Sequence, residues 1–164
     1  MSGIYSVEMK NATVVASGTL VIIHTASAIG TRGSSIRLLR AWASQVGTGT
    51  SAQLGITLAQ KASAFGTYSS ATPSPHVVGG VASAIVSGGA GAAGTCGVAA
   101  GTEGAGAVTD IIYDSFNNLN GWLWVPTPEE RIVLVNDIAV ILKLIGTPSV
   151  LSGWSAGITF DEVN

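Results

Sequence analysis

Asn117-Asn118-Leu119-Asn120-Gly121-Trp122-Leu123-Trp124-Val125-Pro126-Thr127-Pro128-Glu129-Glu130-Arg131 is the stretch on which the reading of the fold depends. Two runs of turn chemistry enclose a short apolar segment, because asparagine and glycine tolerate positive φ and proline fixes φ near about −65°. Between them Gly121 to Val125 alternates, so that Trp122 and Trp124, two residues apart, fall on one face of a strand. A strand this short and this firmly closed at both ends belongs to a fold built of many such strands.

The same grammar extends outward in both directions. Ala107 to Asp114 precedes the stretch as a strand candidate, and Ile132 to Val135, Ile138 to Leu144 and Ser155 to Phe160 follow it. Nearer the N-terminus, Tyr5, Val7 and Met9 alternate with Ile4, Ser6 and Glu8. Thr13 to Val15 and Leu20 to Ile23 are β-branched runs separated by Ala-Ser-Gly, and Leu54, Ile56 and Leu58 alternate after a Gly-Thr-Gly-Thr-Ser connection. Within Ile36 to Ala43, strict alternation places Ile36, Leu38 and Trp42 on one face with Arg40, and Arg37, Leu39, Ala41 and Ala43 on the other. No amphipathic helical pattern competes. About eight to nine short strands with recurring turn signals predict an all-β protein, a single-domain antiparallel β-sandwich of jelly-roll type over residues 1–164.

Composition narrows the function classes. Charged residues make up 10% of the 164 residues, against roughly 25% in an average domain, while 47% are hydrophobic and 22 are glycine. Disorder ordinarily pairs low hydrophobicity with high net charge, and neither holds. A net charge of −2 supplies no basic patch for nucleic acid. The longest apolar run, Ile132 to Ile145, is broken by Asn136, Asp137 and Lys143, so no membrane span is expected. The first residues lack a basic segment followed by an apolar run, and a secretory signal is not expected either. A surface poor in charge has lost an ordinary guard against association, which predicts burial against other chains. The deficit is local: positions 62–102 contain no Asp, Glu, Lys or Arg. Within and beyond them, about 79–106 reads as a Gly/Ala-rich excursion with a short strand near 95–99. Residues 62–102 are expected to be covered by neighbouring chains.

Two patterns look catalytic and fail on context. Gly153-Trp154-Ser155-Ala156-Gly157 matches the nucleophile elbow, but the seven residues after Gly157 supply neither the helix nor the histidine that the elbow requires. Gly89-Ala90-Gly91-Ala92-Ala93-Gly94 matches a dinucleotide fingerprint, yet two further glycines and no helical face follow it. His24 and His76 have no Cys, Asp or Glu at ligand spacing, and Cys96 is alone, so neither a metal site nor a disulfide is expected. Paired tryptophans serve more often as core or interface anchors than as sugar platforms. Glu129, Glu130 and Arg131 read as a solvated turn with a local ion pair. No catalytic residue, cofactor or metal is expected.

The aromatic strand at 121–125, the Pro-Thr-Pro-Glu-Glu-Arg turn, the upstream Ala71-Thr72-Pro73-Ser74-Pro75 and the terminal Gly157-Ile158-Thr159-Phe160-Asp161-Glu162 together resemble the jelly-roll head decoration, or cement, proteins of tailed bacteriophages. The resemblance implies a non-enzymatic virion protein, made in the host cytoplasm, that forms a homotrimer on the outer capsid surface and stabilises the lattice of the major capsid protein. The chain departs from the group in its long uncharged stretch. The residues expected at contacts with capsid or sister subunits are Tyr5, Val7 and Met9 in the segment Met1 to Lys10, together with Trp122, Trp124 and Arg131. The alternative is a carbohydrate-binding jelly-roll module of a tail or fibre, with Trp122, Trp124 or Trp154 as stacking platforms.

Overall fold

A computed structural model describes residues 3–25, 35–47, 50–135 and 137–163. Thirteen strands run through them: β1 (Ile4–Ala12), β2 (Thr19–His24), β3 (Ser35–Gln45), β4 (Gln53–Lys61), β5 (Gly66–Ala71), β6 (Ser74–Pro75), β7 (Ser87–Gly88), β8 (Thr95–Glu103), β9 (Val108–Asn117), β10 (Trp122–Trp124), β11 (Val133–Leu134), β12 (Ala139–Ile145) and β13 (Trp154–Val163). A single 3-10 turn, Pro128–Glu130, lies between β10 and β11.

The strands form two sheets. The front sheet has the order β10-β3-β13-β1-β6, with β11 also on β3; the back sheet has the order β5-β8-β2-β12-β4-β9, with β7 on β8. The main pairings are nested. First pairs with last (β1 with β13), β2 with β12, β3 with β10 and β11, and β4 with β9, all antiparallel. A chain folded back on itself in this way and wrapped into two layers is a jelly roll.

Alternation supplies the core. Val7, Leu38, Ile158 and Phe160 of the front sheet meet Val21, Ile23, Leu58 and Leu142 of the back sheet, and all eight are fully shielded from solvent. At the stretch that announced the fold, Gly121 adopts φ +71° to enter β10, a conformation costly for other residues. Asn118 is buried in the same turn: its side-chain oxygen accepts from Ala52 N–H at 2.8 Å, and its amide donates to Gln45 and to the Thr50 carbonyl.

Two expectations about strands need correction. Thr13 to Val15 is not a strand; β1 ends at Ala12, and Val14 N–H donates instead to the Leu151 carbonyl at 2.8 Å. In β3 the alternation changes phase, because Leu38 pairs with Phe160 while Arg40 pairs with the adjacent Thr159. Leu39 is therefore the extra residue of a β-bulge, which reverses the faces beyond it. Ala41 and Ala43 join the core, and Trp42 turns to the outer side.

The uncharged excursion is a built part of the sandwich. It lies between β4 and β9 and wraps the side where β1 and β2 form adjacent margins: β6 adds to β1, while β8 and β5 extend the back sheet beyond β2. The strand expected near 95–99 extends to Glu103, and β5 has no alternating signal to announce it. Ile85 and Val86 enter the core between the two margins. The buried Glu162 carboxylate holds this plug, accepting from Ser83 Oγ and from the N–H groups of Ala84 and Ile85 at 2.9 and 3.1 Å. Parts of 62–102, among them Tyr68, Ile85, Val86 and 96–98, are buried by the chain's own packing, while more than half of its residues, Val77, Val78 and Val81 at its tip included, are exposed.

Candidate interaction face

The two outer faces of the sandwich differ. On the back sheet, Ile22, Ala59, Ala139 and Ile141 point away from the main core, yet all are buried, because Phe65, Tyr68 and Ala100 of the excursion pack over them in a second apolar cluster. A buried ion pair fastens this cover. Lys61 Nζ, with no solvent exposure, donates to Glu103 Oε1 at 2.7 Å and to the Gly104 carbonyl at 2.9 Å, while Thr19 N–H donates to Glu103 Oε2 at 2.8 Å. Burial on its own would raise the Glu103 carboxyl; the bonds from Lys61 and Thr19 and the charge of Lys143 outweigh it and hold the group below the usual carboxylate range.

The front sheet carries no such cover among the described residues. Its outer face is ordered in cross-strand rows. One row runs Val133, Arg37, Asp161, Ile4, and another runs Leu123, Trp42, Gly157, Glu8. The middle of the face is polar. Arg37 and Asp161 form a bidentate pair at 3.1 and 2.5 Å, and the bond to Asp161 raises the guanidinium pKa. His76 Nε2 and Ser6 Oγ share a hydrogen bond at 2.7 Å, and Ser6 and Thr159 share another at 2.9 Å. The β10 and β11 margin is apolar. Leu123 is 65% exposed, Val125 63%, Val133 54% and Val135 53%, and Trp42 lies beside them across Gly157. That ring rests on the sheet because position 157 has no side chain: a Cβ there would lie 2.7 Å from the indole nitrogen.

Most of the residues expected at interfaces are buried or half-buried within the chain. Tyr5, Val7 and Met9 are 3%, 0% and 1% exposed and belong to the main core, as does Trp122 at 8%. Trp124 is half-buried against the same core, and Arg131 is half-buried after the 3-10 turn. Met1 and Ser2 of the N-terminal segment lie outside the described residues. The reason is parity: the large apolar face of each strand turns inward, which leaves Leu123, rather than the tryptophans on either side of it, exposed on the outer face.

The motifs set aside on sequence also have places. Ser155 lies within β13, paired with Ser44, and its Oγ accepts from Asn11 N–H at 3.0 Å. The glycine-rich 89–94 run joins β7 to β8 as turns and leads into a strand. His24 is buried; its Nδ1 lies 3.2 Å from the Gly91 carbonyl, and its ring packs on Phe65 with centroids 4.4 Å apart. Cys96 is buried, which pushes its thiol up to about 12. Trp154 is fully buried and donates to the Val150 carbonyl at 3.1 Å. No group of three or more His, Cys, Asp or Glu side chains placed to hold a metal occurs among the described residues. No protein-family model, curated protein or solved structure significantly matches the chain.

Proposed function

We propose that this chain is a non-enzymatic virion structural protein, a decoration or cement protein that self-associates, as a trimer by the resemblance above, and docks on the lattice of a phage major capsid protein. The observation that carries the reading is the asymmetry of the sandwich. Over β2, β12 and β4 one outer face is covered by the chain's own excursion, which leaves Val108, Ile111 and Tyr113 of β9 exposed; the other face has no such cover and carries four exposed aliphatic side chains along one margin. Exposed apolar side chains concentrated in this way mark interaction surfaces. A protein of this kind performs no chemistry; it adds buried area between lattice subunits, and repetition around a shell multiplies the gain. The jelly-roll topology, the charge-poor surface and the resemblance at 117–131 support the same reading. Deletion of the protein from the phage tests it. Virions lacking it package DNA but lose infectivity at lower temperature or milder osmotic shock than wild type; unchanged resistance contradicts the stabilising role.

The carbohydrate-binding alternative loses its platforms, since Trp154 and Trp122 are buried and Trp124 packs against the core.

A further inference from the structure

Asn117, Asn118 and Asn120 lie at the turn between β9 and β10, and their side-chain amides are placed differently. Asn117 Nδ2 donates to Ser51 Oγ at 2.6 Å, and its Oδ1 accepts from Leu119 N–H at 3.0 Å. Asn118 is 2% exposed; its Oδ1 accepts from Ala52 N–H, and its Nδ2 donates to Gln45 Oε1 at 3.0 Å and to the Thr50 carbonyl at 3.1 Å. Asn120 is exposed, its side chain makes no hydrogen bond to a described residue, and Gly121 follows it.

A free asparagine amide ahead of glycine is open to attack from its own backbone. The nitrogen of the following residue bonds to Cγ and closes a succinimide ring, the Cγ–Nδ2 bond breaks, and the attacking nitrogen's proton leaves with the amide nitrogen as ammonia. Water then opens the ring at either carbonyl, giving isoaspartate or aspartate. The sum is amide plus water to carboxylate plus ammonium. The side chain must be free to turn onto that nitrogen, which the bonds of Asn117 and Asn118 deny. The following residue must also leave the approach clear, which glycine does because it has no Cβ. Asn11, Asn117 and Asn118 precede Ala12, Asn118 and Leu119, so among the described residues Asn120 alone precedes glycine. Gly121 N–H donates to the Asn117 carbonyl at 3.2 Å, the longer of two bonds that oxygen accepts, the other coming from Asn120 N–H at 3.0 Å. Opening of that one bond releases the attacking nitrogen, and exposed loop tips open ahead of the core.

We infer that Asn120 is a site of spontaneous deamidation, at which the folded protein converts a neutral turn residue into aspartate or isoaspartate. The product adds one negative charge to a chain of net charge −2. Isoaspartate also lengthens the backbone by a methylene where Gly121, at φ +71°, admits the chain to β10. The site does not depend on the proposed function.

Peptide mapping of the full chain after weeks in mildly alkaline buffer at body temperature tests the assignment. The mass gain of an amide-to-acid exchange is expected at Asn120, with isoaspartate there labelled by isoaspartyl methyltransferase, while Asn117 and Asn118 keep their amides over the same period. Asn120→Gln is expected to melt as wild type does and to lose the label, because the longer side chain closes its ring far more slowly. An Asn120 amide that survives as long as those of Asn117 and Asn118, or conversion that begins at either of them, overturns the inference. Conversion at Asn120 that occurs only in denaturant overturns it as well, since the folded turn then protects the amide.

Discussion

Lys61 and Glu103 are the charged residues that flank the 41 uncharged positions 62–102, and they form a buried ion pair with each other at 2.7 Å. The whole excursion is therefore a loop closed at its base. Removing Glu103 leaves the fully buried Lys61 ammonium without its counter-charge, at a cost of about 3–5 kcal/mol. Glu103→Ala is expected to lower chemical-denaturation stability by that order, and Lys61→Met with Glu103→Leu to recover most of it. Equal loss in both variants contradicts the closing role.

The same carboxylate sets an acid response. Its folded-state pKa is depressed, so the stability it contributes is present above the unfolded value, about 4.3, and is lost as pH falls through the folded one. Amide exchange measured as pH falls below about 4 is expected to rise first in residues 62–107, which this pair ties to the back sheet, and later in β3 and β13. Simultaneous exposure of all strands contradicts that order.

Trp42 over Gly157 gives a test of the bare face. Gly157→Ala places a methyl group 2.7 Å from the indole nitrogen, so the ring must lift. Overpacking of this kind costs typically about 1–3 kcal/mol. A red-shifted, more quenchable tryptophan emission and a lower melting temperature are expected, whereas Ser44→Ala should leave both near wild type. An unshifted spectrum for Gly157→Ala contradicts the placement of the ring.

Cys96 provides a simple chemical check. A buried thiol with its pKa pushed up to about 12 holds almost no thiolate at neutral pH. Ellman's reagent should leave the native protein unlabelled over hours and label one thiol per chain in denaturant. Rapid native labelling contradicts the burial of β8.

Much of the sandwich was legible in the sequence because a half-buried strand writes its environment as alternation. Leu20 to Ile23, Ile138 to Leu144 and the turn-bounded Trp122 to Trp124 all became strands. Leu39 shows where that reading stops: a bulge depends on how β13 pairs with β3, and local alternation carries no trace of a partner 120 residues away. β5 and the extent of β8 were hidden for a related reason. Their serines, threonines and glycines satisfy a ladder without forming an apolar face, since their covering comes from neighbouring segments. The burial of the residues offered as contacts was not legible, because aromatic and large aliphatic side chains serve core and contact alike. Only the sandwich decides which face of Tyr5 to Met9 or of Trp122 to Trp124 is the inner one. Ser6 and His76, and Lys61 and Glu103, meet through topology alone.

The central claim is that the bare front face, through its aliphatic margin, binds a phage head. Co-sedimentation of the purified chain with heads of the encoding phage that lack it tests this directly. The account predicts saturable binding of wild type, a higher temperature of DNA release from the decorated heads, and loss of both with Leu123→Asp and Val125→Asp in a protein that melts as wild type does. Heads that leave the wild-type chain in the supernatant, or that bind the double variant equally well, contradict it.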